Sequence, residues 1–174
     1  LTGSLSLAAN GDVTITPTGR VQSAADANIS APNINNQGVI TSPGNVTVSG
    51  STTNSGTVVA GGNATITGPQ VTNSGTIGAG VDTNGNVTQP GAVALNATGA
   101  VRNSGNLLAG QSIGVTGASI DASNGNVATQ GTVSLSATGD VATRSATISG
   151  GSVTVQAGGT LDNTAGSLSS NTTL

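Results

Sequence analysis

Aliphatic residues along the chain stand in short alternating pairs, separated by runs of Gly, Asn, Ser and Thr. Leu5/Leu7, Val46/Val48, Ala64/Ile66, Val93/Leu95, Ile113/Val115, Val133/Leu135 and Val153/Val155 each supply two positions on one side of a strand, because successive strand residues point to opposite faces. Ile29 fills the same place in one further unit. The triplet Asn-Ser-Gly recurs at Asn54, Asn73 and Asn103, and Asn36-Gln37-Gly38 precedes it, at intervals of 18, 19 and 30. A second aliphatic column follows the triplets at Val39, Val58, Ile77 and Leu107, with Val21 upstream and Val127, Ile148 and Leu168 downstream. A third column precedes them at Ile34, Val71, Val101, Ile120, Val141 and Leu161, and Thr52 takes that place in one unit.

Three short apolar strands in each unit of about twenty residues, divided by turns, predict stacked coils that bury one continuous interior. No segment has the i, i+3, i+4 spacing of a helix. The expected fold is all-β: a right-handed parallel β-helix of about eight coils, its hand following the general preference for right-handed crossovers. At ~4.8 Å per stacked strand, eight coils make a rod of about 38 Å. The whole chain, 1–174, reads as one solenoid segment. Leu1 and Leu174 end it on apolar residues where a solenoid needs polar caps, so it is expected to derive from a longer rod.

Turn positions carry Asn36/Gly38, Asn54/Gly56, Asn73/Gly75, Asn103/Gly105 and Asn163/Gly166. Asn hydrogen-bonds its own backbone and tolerates left-handed φ, and Gly takes conformations closed to other residues. Stacked Asn side chains can also form ladders between coils.

Composition removes most chemistry. The chain has no aromatic residue, Cys, Met, His, Lys or Glu; its ionisable side chains are six Asp and three Arg, for a formal charge of −3. General acid–base and covalent mechanisms lack their usual groups, and transition metals lack imidazole and thiolate ligands. An enzyme is not expected, nor is a cofactor. Three Arg without aromatics give neither a phosphate footprint nor a stacking platform for nucleic acid, and no apolar run is long enough to insert in a membrane.

The interval of 30 carries about ten extra residues at 81–91. Solenoid insertions lie on one face and often bind, so Asp82, Asn84, Asn86 and Gln89 are the candidate ligand-binding residues. Asp82-Thr-Asn84-Gly-Asn86 has calcium-loop character, but Val93 stands where the bidentate acid belongs, so no metal site is expected. Asp121, Asp140 and Asp162 fall about one coil apart near the third column. Carboxylates stacked ~5 Å apart would raise one pKa, but with no Lys or His to assist, a solvated charge ladder with Arg102 and Arg144 is expected. Outward Thr-x-Thr pairs, as at Thr14/Thr16 and Thr65/Thr67, are too broken to form an ice-binding face. The six Asn-x-Ser/Thr sequons, at Asn28, Asn45, Asn63, Asn86, Asn96 and Asn171, match the ~5 that this composition gives by chance.

The unit running from Gly99 through Asn103-Ser-Gly105 and Leu107 to Gly117 resembles the filamentous-haemagglutinin repeat, as do Pro32–Gly50, Ser51–Gly68 and Gly158–Leu174. That resemblance implies the shaft of a large bacterial exoprotein secreted by the two-partner route, an adhesin or a contact-dependent-inhibition toxin. It implies a secreted or cell-surface location and an outer-membrane transporter as partner during secretion. A receptor or glycan on a host or neighbouring cell is the further partner it suggests. The Asn-Pro-Asn-type motif of the family's secretion domain is absent, and Pro32-Asn33-Ile34-Asn35 echoes it only in part. The expectation is a structural shaft segment; the alternative is a module that itself binds through the 81–91 loop or its polar face.

Overall fold

The computed structural model describes residues 3–82 and 84–171, and the expectation about Leu1 and Leu174 falls outside them. Among the described residues there are twenty-two strands and no helix. All strand pairs are parallel, apart from an isolated antiparallel bridge between Val81 and Val87. Each strand pairs with its equivalent in the neighbouring coil, about twenty residues away or about thirty across the insertion, so backbone hydrogen bonds run along the stack.

Eight coils result: residues 5–26, 27–45, 46–63, 64–91, 92–111, 112–131, 132–151 and 152–171, numbered here 1 to 8. Each has three faces. Face 1 begins with Leu5–Ala8 and ends with Ser152–Ala157; face 2 runs from Val13–Ile15 to Leu161–Asp162; face 3 runs from Arg20–Gln22 to Ser167–Ser170. Faces 1 and 2 form one fourteen-stranded sheet, because Ala27–Asn36 and Val46–Asn54 turn the corner unbroken; face 3 is a separate eight-stranded sheet.

The pairing register reproduces the sequence columns. Leu7, Ile29, Val48, Ile66, Leu95, Val115, Leu135 and Val155 stack on face 1. On face 2, Ile34, Thr52, Val71, Val101, Ile120, Val141 and Leu161 stack below Val13. On face 3 the register corrects one position. Ile40, not Val39, pairs with Val21 and Val58 and is buried, whereas Val39 pairs with Thr57 on the outer side. The inward residue stands four after the turn Asn, and Asn36 plus four is Ile40. Ala27 and Val13 complete the face 1 and face 2 columns.

The inner column of face 2 is not wholly apolar. It reads Ile15, Asn36, Asn54, Asn73, Asn103, then Ala122, Thr143 and Asn163. Neither the triplet Asn residues nor their Gly partners have positive φ, which among the described residues is confined to Gly50, Gly80, Gly85, Asn124, Ser145 and Ala165. The Asn side chains point into the core instead. The Gly is required by close stacking: a Cβ on Gly56, Gly75 or Gly105 would lie under 3.0 Å from the carbonyl oxygen of the triplet Gly in the preceding coil.

From the inner residue of face 2 to that of face 3 takes four steps in coils 2 to 5, as from Asn73 to Ile77, and five in coils 6 to 8, as from Thr143 to Ile148. The added residue takes left-handed φ: Asn124 at 60°, Ser145 at 52° and Ala165 at 56°. Asn visits this region readily; other L-residues pay about 1–2 kcal/mol. Ser145→Gly is expected to raise stability by about 1 kcal/mol, net of the larger unfolded-state entropy of Gly. An unchanged or lower urea midpoint would refute this.

Candidate functional site

Three constellations stand out, one inside the coil stack and two outside. Inside, Asn36, Asn54, Asn73 and Asn103 form a buried ladder. The Nδ2 groups of Asn36, Asn54 and Asn73 each donate to the Oδ1 of the next Asn at 2.7 Å. The same Nδ2 groups donate to backbone carbonyls of the following coil: Asn36 to Thr57, Asn54 to Thr76 and Asn73 to Asn106, at 3.2–3.3 Å. Isolated buried amides would be costly, and stacking them at the coil repeat satisfies donors and acceptors together. Ile15 ends the ladder above, leaving Asn36 Oδ1 buried without a partner, and Ala122 ends it below. Further on, Thr143 Oγ1 donates to Asn163 Oδ1 at 2.8 Å, and Asn163 Nδ2 donates to Gly166 O.

A second ladder, which the sequence reading missed, lies outside at the turn from face 3 to face 1. Asp26 Oδ1 accepts the Asn45 N–H at 2.8 Å, Asn45 Oδ1 accepts that of Asn63 at 2.9 Å, and Asn63 Oδ1 accepts that of Ala92 at 2.9 Å. Its signal was present in the spacing of 26, 45 and 63, the same period as the triplets.

The insertion occupies this turn between coils 4 and 5. It leaves the stack at Gly80 and rejoins it at Gly91, so close that a Cβ on Gly91 would collide with the Gly80 nitrogen. The loop is tied to itself and to the rod. Asp82 Oδ1 accepts the N–H groups of Asn84 and Asn86, each at 2.9 Å, and Oδ2 accepts Asn86 Nδ2 at 2.9 Å. These bonds, led by the one from the Asn86 side chain, hold the Asp82 carboxyl below its ordinary range. Gln89 Nε2 donates to the Gly61 carbonyl, and Thr88 N–H to Gly80 O at 2.8 Å. Of the four candidate residues, Asp82 and Asn86 therefore meet, Asn84 joins them through its backbone, and Gln89 reaches back to coil 3.

The loop lies on an apolar stripe. The outward column of face 3 reads Thr41, Val59, Gly78, Leu108 and Ala128. Val81 packs over Gly78, where a Cβ would lie under 3.0 Å from its methyl group, and Val59 and Val81 are both buried although they face away from the bore. Grooves flank the docked loop. The larger, about 660 Å³, is lined by Gln22, Thr41, Pro43, Val59, Val81 and Asp82; the smaller, about 260 Å³, by Val87, Leu108 and Ala128 among others. Gly78→Leu should evict Val81 while leaving the coils intact. The expected result is unchanged far-UV circular dichroism with faster hydrogen exchange at Asp82 and Thr88. Retained protection there would show that the loop is not seated on Gly78.

The third constellation is charged. The register sets Asp121 between Arg102 and Ala142, and Asp162 opposite Ala142, while Asp140 lies at the corner between faces 1 and 2 and accepts the Thr160 N–H at 2.7 Å. Asp121, Asp140 and Asp162 do not form one column, because Asp140 precedes the face 2 strand of its coil, Val141–Ala142, whereas Asp121 and Asp162 lie within theirs. Arg102 pairs with Asp121 at 3.4 Å, and Arg144 with Asp162 at 2.6 Å. Hydrogen bonds from Thr164, then Arg144, hold the Asp162 carboxyl at about 2. Burial pushes Asp121 up, but Ser123, Arg102 and Arg144 together bring it below the usual value. Neither of these two paired carboxylates, Asp121 and Asp162, is prepared to carry a proton. Among the described residues no group of three or more acidic residues could hold a metal ion.

Residues 1–68, 43–89 and 59–174 match the family model described as haemagglutinin repeat, which together cover the chain. No curated protein and no solved structure matches it.

Proposed function

This chain belongs to the haemagglutinin-repeat family, and from that premise we propose that it is a shaft segment: a rigid spacer in a secreted or cell-surface bacterial exoprotein that holds a distal binding or toxin-bearing portion away from the cell. Proteins of this family are secreted or displayed at the surface, consistent with two-partner export through an outer-membrane transporter. The observation that carries the reading is the unbroken strand order of all three faces through eight coils. Stacking of this kind gives length and stiffness from nearest-neighbour contacts alone. The ionisable groups support a structural rather than catalytic role, since the two closest Arg–Asp contacts are spent in pairs across neighbouring coils.

A second reading rests on the 660 Å³ groove beside the docked loop, with Asp82, Asn84, Asn86 and Gln89 as ligand-binding residues of an adhesive module for a glycan or surface receptor. The absence of aromatic side chains weighs against it, because these usually anchor such contacts. Binding of the labelled segment to target cells and a glycan array, with and without residues 82–90, separates the two. The shaft reading expects no saturable binding by either β-rich, monomeric sample. Binding that disappears with the loop would overturn it.

A further inference from the structure

Side chains bridge the joints between coils unevenly. Between coils 1 and 2, Asn33 Nδ2 donates to Asp12 and Asn45 to Asp26. The Asn ladder crosses the next three joints. Between coils 5 and 6, Arg102 meets Asp121, and Thr116 Oγ1 donates to Asn96 Oδ1 at 2.8 Å. Between coils 7 and 8 lie Arg144–Asp162, Thr143–Asn163 and the Thr160 N–H to Asp140. Between coils 6 and 7, among the described residues, the side-chain hydrogen bond is Thr138 Oγ1 to Ala118 O, at 3.5 Å.

Backbone pairing at that joint is lopsided. Face 1 pairs six residues, Ser112–Gly117 with Thr132–Ala137, and face 3 pairs three, Asn126–Ala128 with Thr147–Ser149, whereas face 2 pairs two, Ile120 with Val141 and Asp121 with Ala142. The joint between coils 7 and 8 pairs six and two residues on the same two faces, so the missing side-chain bridges are what set this joint apart. The inner ladder has ended at Asn103, so small Ala122 faces Thr143. On the outside the alternation Arg102, Asp121, Ala142, Asp162 lacks a cation at its third place. Arg144, which acts on Asp121 only through space, is engaged by Asp162.

We propose that the joint between coils 6 and 7 is a built-in yielding point, opening along face 2 and pivoting on the six-residue pairing of face 1. Its use as a bending point in a loaded rod rests on the shaft reading; its opening does not. Local opening is read by hydrogen exchange. The amides of Ala122 and Asn124 donate across this joint to Ala142 O and Arg144 O, at 2.8 and 2.9 Å. Those of Ser74 and Ser104 donate across ladder-bridged joints to Asn54 O and Asn73 O, at 2.8 and 2.9 Å. After correction for intrinsic rates, Ala122 and Asn124 should exchange about tenfold faster than Ser74 and Ser104, the factor given by one or two missing net hydrogen bonds. Ala142→Arg, placing a cation between Asp121 and Asp162, should slow Ala122 and Asn124 severalfold and leave Ser74 and Ser104 unchanged. Equal protection at the four amides in the native protein would overturn the proposal, as would an Ala142→Arg variant that folds but leaves Ala122 and Asn124 as fast as before. Neither result would bear on cell binding, by which the shaft reading is tested.

Discussion

Asn73→Ala is expected to cost about 3–5 kcal/mol, among the largest losses available to a single polar substitution in this chain. Asn73 sits in the middle of the buried ladder, accepting from Asn54 Nδ2 and donating to Asn103 Oδ1, both at 2.7 Å. Removing it strands the buried Asn103 Oδ1 acceptor, at about 1–3 kcal/mol, weakens the bonding of Asn54 Nδ2, and leaves a cavity. Asn54 keeps only its long bonds of 3.3 Å to Gly56 O and Thr76 O. The losses should be strongly non-additive. Replacing all four Asn by aliphatics removes donors and acceptors together, so it should cost far less than four times the single change. Urea unfolding followed by far-UV circular dichroism measures both, the chain having no Trp to report by fluorescence. A loss below about 1 kcal/mol for Asn73→Ala would mean that the ladder is ornamental.

Gly75→Ala is the second large effect, and its cause is steric. The added methyl would meet the carbonyl of Gly56 and the carbonyl carbon of Ser55 at under 3.0 Å, and these are backbone atoms with no rotamer to retreat into. Gly38, Gly56, Gly75 and Gly105 stack at this corner, so displacement of one turn is passed to the next. We expect a loss of about 3 kcal/mol, the upper end for overpacking. Gly114→Ala is the matched control, because nothing lies within 4 Å of its added methyl. It should fall within about 0.5 kcal/mol of the native protein. Equal effects at the two positions would show that Gly75 serves chain flexibility rather than close stacking.

The period, the three faces and the inward pairs of face 1 were legible because a narrow bore demands an aliphatic at the same place in every coil. Val39 was misplaced because Val39 and Ile40 are adjacent aliphatics and either continues a column; only the count from Asn36 decides between them. Ala27 and Val13 were passed over because Ala carries a weak apolar signal and the first coil has longer turns. The triplet residues were found, but with a different cause, since Asn and Gly serve equally well in a left-handed turn and in a buried ladder beside a tight corner. The left-handed residues, Asn124, Ser145 and Ala165, share no residue type and left no mark. At the insertion, position and length were legible from the interval of 30. Its seat was not, because Val59 and Val81 look like any other strand residues until Gly78 is seen to leave space for a methyl group above the sheet.

The adjacency of Gly80 and Gly91 has a consequence for how such rods vary. Ala92 finds Asn63 just as Asn63 finds Asn45, so coil 5 stacks on coil 4 as though no residues intervened. Material added at this corner changes the girth of the molecule and not its height. Whatever hangs there can be lengthened, shortened or exchanged without resetting the frame of any coil that follows.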